Sequence, residues 1–244
     1  MSLVFLKKSP THLILIAALG FLAYSNTFSV PFQWDEAYYL EQKPVVKDLS
    51  YFLEPSKAEG LDFYSSLKSR YVGYLSFALN YKIHGFKVTG YHIVNLTIHL
   101  LSALLVYCLV LLTYRTPFLK SSILKGYSSY IALFSGILFV SHPIQTEAVT
   151  YVFQRFASLA AMFYLLSVVF YAKWRLSSEE EGVRGLRPRR GLGLNPKVLL
   201  YLLPLLFFLL AIKTKENAFT LPLTIMLYEY FFFTGKSSVR ALLL

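Results

Sequence analysis

Long apolar runs separated by short charged connections dominate the chain. A membrane-spanning helix needs about 20 mostly apolar residues, and six stretches approach that length. They are residues 11–31, 91–114, 128–143, 153–173, 197–213 and 218–234. The pattern therefore predicts an all-α polytopic membrane protein with about six transmembrane helices. Only "KTKEN" separates the last two runs, so we expect a tight turn there.

The connections differ in length and character. Residues 32–90 are too long for a hairpin, and pieces such as "KDLSYFLEPSKAEGLDFYSSL" mix acids, bases and aromatic residues, which is typical of short helices lying in the membrane interface. "SRYVGYLSFALNYKIHGF" predicts a surface helix that leads into the second span. Residues 174–196, in contrast, are charged and rich in glycine and proline, which predicts a flexible loop.

Composition and charge support a membrane location. Hydrophobic residues make up 56% of the chain and charged residues 15%, which is more apolar surface than one soluble core could bury. The net charge of +11 lies in short connections, so it sets orientation and does not indicate nucleic acid. Unbalanced lysine and arginine place both termini and residues 174–196 in the cytoplasm. We therefore expect a protein of the cytoplasmic membrane whose first long loop, 32–90, is extracytoplasmic.

The first apolar run has two readings. Two lysines followed by "LILIAALGFLAYS" match the charged and apolar regions of a signal peptide. Because apolar character continues to residue 32 and no A-x-A-like site follows, we favour an uncleaved first helix. Cleavage would leave the topology of the remaining spans unchanged.

Adjacent acids follow the first run in "PFQWDEAYYL". Asp35 and Glu36 can form a simple hydrated helix end, and the neighbouring aromatic residues can form an interfacial belt. The same aromatic setting can also partly desolvate a carboxylate and raise its pKa, which would suit it to accept a proton from a hydroxyl nucleophile. Both interpretations stay open on the residues alone.

Two further polar groups fall on the same predicted side. "SHPIQTEAVTYVFQRFA" carries His142, Glu147, Gln154 and Arg155, where Pro143 ends a helix. The histidine is more often structural. An arginine just before an apolar run can extend its charge to the interface, and its planar donors also suit a phosphate.

The other group is the "KTKEN" turn with Lys213, Lys215 and Glu216. Charges at headgroup depth are costly, so either Glu216 pairs with a lysine or the lysines attract an anionic headgroup. Polar residues within spans more often bond between helices; these are Asn95, Thr97, His99, Ser102 and Ser158.

An outward carboxylate with cationic groups on one membrane face suits group transfer from a lipid-linked phosphate donor. The acid would activate the acceptor, and arginine and lysine would stabilise the phosphate leaving group. A transporter or flippase could carry similar groups, but it would be expected to place charge near mid-membrane on broken helices. Here nearly all charge lies at span ends, with Glu229 the deepest exception.

Four segments carry a family resemblance. In order they are "FQWDEAYYL", "SFALNYKIHGFKVTGYHIVNLTIHLLSALLVY", "GILFVSHPIQTEAVTYVFQRFASLAAMFYLLSVVFYAKWR" and "LLFFLLAIKTKENAFTLPLTIMLYEY". Together they resemble the membrane part of the polytopic O-mannosyltransferase-like proteins that carry tetratricopeptide repeats. Those proteins are C-type (GT-C) glycosyltransferases that use polyprenyl-phosphate sugars.

The resemblance implies roles for individual residues. Asp35 falls where the acceptor base is expected, with Glu36 as its companion, and the other family motif positions are His142, Glu147, Gln154, Arg155, Lys215 and Glu216. We predict a site for the donor phosphate or lipid that is formed by His142, Gln154, Arg155, Lys213 and Lys215. Glu147 and Glu216 are predicted to support it. Dependence on a divalent metal varies in the family, so we assign no metal ligand and no certain cofactor.

The resemblance also implies more chain than these residues supply. Family members continue through several further spans and a repeat domain. We therefore expect either an active module, with a protein or glycan acceptor, or a truncated, split or non-catalytic subunit that binds lipid or a second chain.

Overall fold

The computed structural model describes residues 10–184 and 196–234. Within these ranges all regular elements are helices, which confirms the all-α prediction. In chain order the α-helices are α1 (Pro10–Ala23), α2 (Pro44–Lys47), α3 (Ser50–Leu53), α4 (Tyr64–Ser69), α5 (Tyr71–His84), α6 (Val88–Thr113), α7 (Ser128–Ser141), α8 (Thr146–Thr150), α9 (Arg155–Arg184), α10 (Pro196–Ile212) and α11 (Leu221–Glu229). Wider π-helical turns cover Ala37–Gln42 and Tyr230–Thr234, and tighter 3₁₀ turns cover Pro55–Ala58, Ile123–Tyr127, Pro143–Gln145, Val152–Gln154 and Glu216–Thr220.

Three helical segments of the described chain are long and apolar enough to cross a membrane: Val88–Thr113, Ile123–Ser141 and Val152–Glu179. Two further apolar helices are shorter, at Pro10–Ala23 and Val198–Ile212. The last predicted span, 218–234, consists of the end of a 3₁₀ turn, the nine-residue helix α11 and a π-helical turn. The three long segments agree with predicted spans, and the count of six stays a prediction.

Helix α9 continues past its predicted end at residue 173. It runs to Arg184, so part of the predicted loop 174–196 is helical, and residues 185–195 lie outside the described residues. Arg175 pairs with Glu179 one turn later at 3.6 Å, a spacing that supports a helix. Arg175 also pairs with Glu229 at 2.6 Å, and this second contact ties α9 to α11.

The long helices pack as a bundle around α6 and α9. Helix α6 contacts α1, α7 and α9, and α9 also contacts α10. Between α1, α6 and α7 lies an apolar cluster whose buried members are Ile16, Ala103, Tyr107, Ala132 and Val140. The outward faces remain apolar, with large exposed side chains such as Phe134 and Leu209, as expected for helices that face lipid.

The segment between α1 and α6 folds back on the start of α9. Its helices α2 to α5 bury one apolar core, which includes Phe63 and Phe77 together with Val152 and Phe156 from the α9 region. The short helices are therefore packed against the bundle through their apolar side chains. Their predicted position in the membrane interface stays a prediction.

Gly73 in α5 allows a close approach between α9 and the segment that joins α1 to α6, which we call the outer segment after its predicted extracytoplasmic position. A Cβ atom at this position would lie 2.2 Å from Cδ1 of Phe156. We expect Gly73→Ala to lower the free energy of unfolding by about 1–3 kcal/mol, because the ring must move within a packed core. Thermal unfolding of the purified protein in detergent measures the change.

Gly126 provides the matched control for that substitution. A Cβ atom there meets nothing within 4 Å, so Gly126→Ala should leave the unfolding temperature nearly unchanged. Equal effects of the two substitutions would contradict the packing of α5 on α9.

Candidate functional site

The acid pair lies on a tight turn, Gln33–Glu36, which two opposed hydrogen bonds close. The backbone amide of Glu36 donates to the Gln33 carbonyl at 3.0 Å. The backbone amide of Gln33 donates to the Glu36 carboxylate at 2.6 Å. Trp34, at the second position of the turn, has a φ of 53°.

The two acids of this turn have different surroundings. The Glu36 side chain is buried, with 1% of its surface exposed, and it accepts a second hydrogen bond from the Phe153 backbone amide at 3.1 Å. Asp35 is exposed. Glu36 thus fixes the turn to the start of α9, and Asp35 is the acid available to a substrate.

Burial raises the pKa of Glu36, and the backbone donors together with the nearby Arg155 only partly oppose this shift. A folded-state pKa above the unfolded value favours folding most at low pH, and that contribution is lost as pH rises through the folded-state pKa. Glu36→Gln cannot ionise. We therefore expect the unfolding temperature of the wild type, relative to this variant, to fall as pH is raised from about 4 to 7.

The exposed Glu41 supplies the control for this pH series. Glu41→Gln should track the wild type closely, because an exposed carboxylate loses little hydration on folding. A temperature difference between wild type and Glu36→Gln that does not change with pH would contradict the burial of an ionisable Glu36.

The aromatic residues around the turn contact the α9 region. Tyr39 stacks on Phe153 with ring centroids 4.6 Å apart. Burial raises the pKa of Tyr151, and the charges of Asp35 and Glu36 raise it further. Tyr151 therefore lies close to the acid pair, although 115 positions separate it from Glu36 in the sequence.

Arg155, the first residue of α9, is fully buried, with 0% of its surface exposed. Its guanidinium donates to the side-chain oxygens of Asn95 at 2.7 Å and Asn80 at 2.8 Å. It also donates to the carbonyls of Tyr91 at 3.1 Å and Ser76 at 3.4 Å.

The ring of Phe77 lies 4.3 Å from the Arg155 guanidinium carbon. The guanidinium donors of Arg155 already bond to protein oxygens in a closed core, so this geometry favours a structural role for Arg155. Its role as a phosphate ligand stays a prediction that the geometry does not favour.

Arg155 belongs to the second polar group of the sequence, and the remaining residues of that group, His142, Glu147 and Gln154, lie at the surface. His142 is exposed, and its Nδ1 accepts from the Ile144 backbone amide at 3.2 Å, which closes the turn after α7. Gln154 donates to the exposed Glu147 at 2.9 Å. These three side chains therefore stabilise the connection from α7 to α9, and their substrate contacts stay predictions.

The third polar group, formed by Lys213, Lys215 and Glu216, lies on the α10–α11 turn and contacts the outer segment. The partner of Glu216 is Arg70, whose guanidinium donates to both carboxylate oxygens at 2.8 and 3.2 Å. Arg70 thus takes the place of the lysine in one of the two alternatives, and attraction of an anionic headgroup by the lysines stays a prediction. Arg70 also lies over the Phe156 ring at 5.8 Å. The Lys213 ammonium donates to the Lys68 carbonyl at 3.4 Å, and Lys215 is half-buried.

All three groups thus lie at the same end of the bundle and meet residues 153–156. Glu36 bonds to Phe153, Arg155 begins α9, and Glu216 reaches Phe156 through Arg70.

Arg70 and Asn80 were missed in the sequence, because their partners lie far away along the chain. Asn95 and His99 do bond across helices, whereas Thr97, Ser102 and Ser158 bond to carbonyls of their own helix.

A cavity of about 320 Å³ lies elsewhere, between α9, α10 and α11. It is lined mainly by apolar side chains, together with Ser167 and Tyr171, and none of its lining residues belongs to the three groups. Within residues 10–184 and 196–234, no cluster of three or more histidine, cysteine, aspartate or glutamate side chains could hold a metal ion.

Comparison with known proteins gives one consistent family. The mouse and human proteins named protein O-mannosyl-transferase TMTC2 are each 33% identical over 162 residues, which is 64% of this chain and 18% of theirs. A Caenorhabditis elegans protein O-mannosyl-transferase is 30% identical over 170 residues, 67% of this chain and 23% of its own. No family model matches, and no solved structure matches significantly.

The family resemblance predicted from the motifs is thereby confirmed. The chain spans about a fifth of the length of the curated relatives that it matches.

Proposed function

We propose that this chain, a homologue of the protein O-mannosyl-transferases over about two thirds of its length, is a glycosyltransferase module of the cytoplasmic membrane. It would move mannose from a polyprenyl-phosphate donor to a hydroxyl of a protein acceptor on the extracytoplasmic side. The mannose and the protein acceptor follow from the names of the relatives.

One observation carries the proposal: an exposed carboxylate, Asp35, sits on a turn that a buried one, Glu36, locks to the start of α9. A general base must be held in place and still reach its substrate. The division between an anchoring acid and an accessible acid meets both needs.

The chemistry assigned to Asp35 is proton transfer. As the acceptor oxygen forms a bond to the anomeric carbon of mannose, the bond from that carbon to the phosphate oxygen breaks. The Asp35 carboxylate takes the hydroxyl proton, and the polyprenyl phosphate leaves with the electron pair. Positive charge near the leaving phosphate would stabilise the transition state, and Lys213 and Lys215 are our candidates for it.

A second candidate function is a non-catalytic membrane subunit that binds lipid or a partner chain, and the closed contacts of Arg155 with Asn95 and Asn80 favour it. Its outer turn would then be retained for assembly or lipid binding.

One experiment separates the two candidates. The purified chain is reconstituted in vesicles with mannosyl-phosphoryl-polyprenol carrying radiolabelled mannose and an acceptor peptide rich in serine and threonine. The enzyme proposal expects labelled peptide. Absence of label, together with polyprenyl phosphate or a second polypeptide in the mass spectrum of the purified material, would instead support the subunit.

A further inference from the structure

Trp34 combines two features that seldom occur together. Its side chain is 89% exposed, and its φ of 53° lies in the left-handed region. Large side chains rarely adopt that backbone conformation, and glycine, asparagine or aspartate usually occupy such a turn position. Strained residues of this kind cluster at ligand-binding sites, where the rest of the structure holds them.

The hydrogen bonds of the turn hold the Trp34 backbone in this conformation. The amides of Gln33 and Glu36 bond across the turn in both directions, and Glu36 is fixed in turn by Phe153. Trp34 is the residue immediately before the exposed Asp35, so an indole and a carboxylate share the tip of one hydrogen-bonded turn.

An interfacial aromatic belt explains the exposure of Trp34 but not its backbone. Tryptophan reaches the headgroup region from ordinary helical positions, and such an anchor needs no positive φ. Tyr38, four residues later, is 47% exposed with a Lys43 ammonium 5.5 Å from its ring centre, so further aromatic and polar surface borders the tip.

This surface has the chemical character of a carbohydrate site. A hexopyranose has faces made of C–H groups and an edge made of hydroxyls, so an exposed aromatic face beside a carboxylate complements both. We infer that Trp34 is a stacking platform for a hexopyranose ring, with the Asp35 carboxylate accepting hydrogen bonds from its hydroxyls. The inference rests on the proposed function, since it names how the same site holds its sugar.

Trp34 can report on its own contacts. The chain has two tryptophans, so the variant Trp174→Phe leaves Trp34 as the sole indole fluorophore. In vesicles free of sugar detergents, this protein is titrated with methyl α-mannoside and with mannose 1-phosphate, and with glycerol as the control. We expect a saturable shift of Trp34 emission with both sugars and none with glycerol. A response to mannose 1-phosphate alone would assign binding to the phosphate and would overturn the stacking inference.

Substitutions of Trp34 separate stacking from structure. Trp34→Asn removes the ring but tolerates positive φ, so we expect an unfolding temperature equal to or above that of the wild type and a loss of mannose transfer of at least tenfold. Trp34→Tyr keeps an aromatic face and should stay within a few fold of wild-type transfer. Wild-type transfer by Trp34→Asn would overturn the inference.

The two proposals can fail separately. Transfer of mannose without any emission response overturns the sugar platform and leaves the enzyme proposal in place. A saturable response in a protein that transfers no mannose supports the platform and counts against the enzyme.

Discussion

Replacing Arg155 with lysine should lower the free energy of unfolding by about 3 kcal/mol or more. Lysine keeps the charge but cannot reproduce the planar fork that reaches Asn95 at 2.7 Å and Asn80 at 2.8 Å. Each buried acceptor left without a donor costs about 1–3 kcal/mol, and the carbonyl of Tyr91 also loses a donor. Thermal or chemical unfolding in detergent measures the loss.

Arg70 offers a matched control, because it is the same residue type at the same end of the bundle. Its ion pair with Glu216 is partly exposed, with 35% of the Arg70 side chain and 56% of the Glu216 side chain accessible. Exposed pairs contribute little, so Arg70→Lys should lower the free energy of unfolding by less than about 1 kcal/mol. Similar losses in both variants would contradict the structural assignment of Arg155.

The long apolar helices could be predicted because their signal is local. Runs of apolar residues fix the approximate positions of α6, α7 and α9 without knowledge of their partners. The end of α9 was misplaced, since the polar stretch after residue 173 remains helical through contacts such as Arg175 with Glu179 and Glu229. Those contacts depend on helix spacing and on a distant chain segment, which composition does not reveal.

The residue types of the site could also be predicted, but their partners could not. The sequence predicted Asp35 as the base and Glu36 as its companion, and only the fold shows that Glu36 meets the Phe153 amide, 117 positions away. Arg155 was likewise singled out, as a residue whose planar donors suit a phosphate. The structure supplies asparagine oxygens and carbonyls from α5 and α6, and sequence spacing gives no sign of that choice.

Asp35→Asn should reduce mannose transfer by at least about 100-fold, because a positioned general base contributes about 10²–10⁴ in rate. Asparagine has nearly the same shape, and the Asp35 side chain is exposed. The hydrogen bonds that close the turn are made by Gln33 and Glu36. The yield and unfolding temperature of this variant should therefore match the wild type.

Asp62→Asn is the control for a carboxylate of the same outer segment. The Asp62 side chain is 72% exposed and lies 3.5 Å from Lys43, outside the acid turn. Loss of this single 3.5 Å contact should leave the transfer rate within about twofold of the wild type, since the Asp62 carboxylate is mostly exposed and stays hydrated.

The decisive measurement compares the wild type, Asp35→Asn and Asp62→Asn, each purified and reconstituted in identical vesicles. It is the initial rate at which each protein moves radiolabelled mannose from mannosyl-phosphoryl-polyprenol to the acceptor peptide. We predict clear product from the wild type and Asp62→Asn and at least 100-fold less from Asp35→Asn. Equal rates from all three would contradict the assignment of Asp35 as the base on which the proposed function depends.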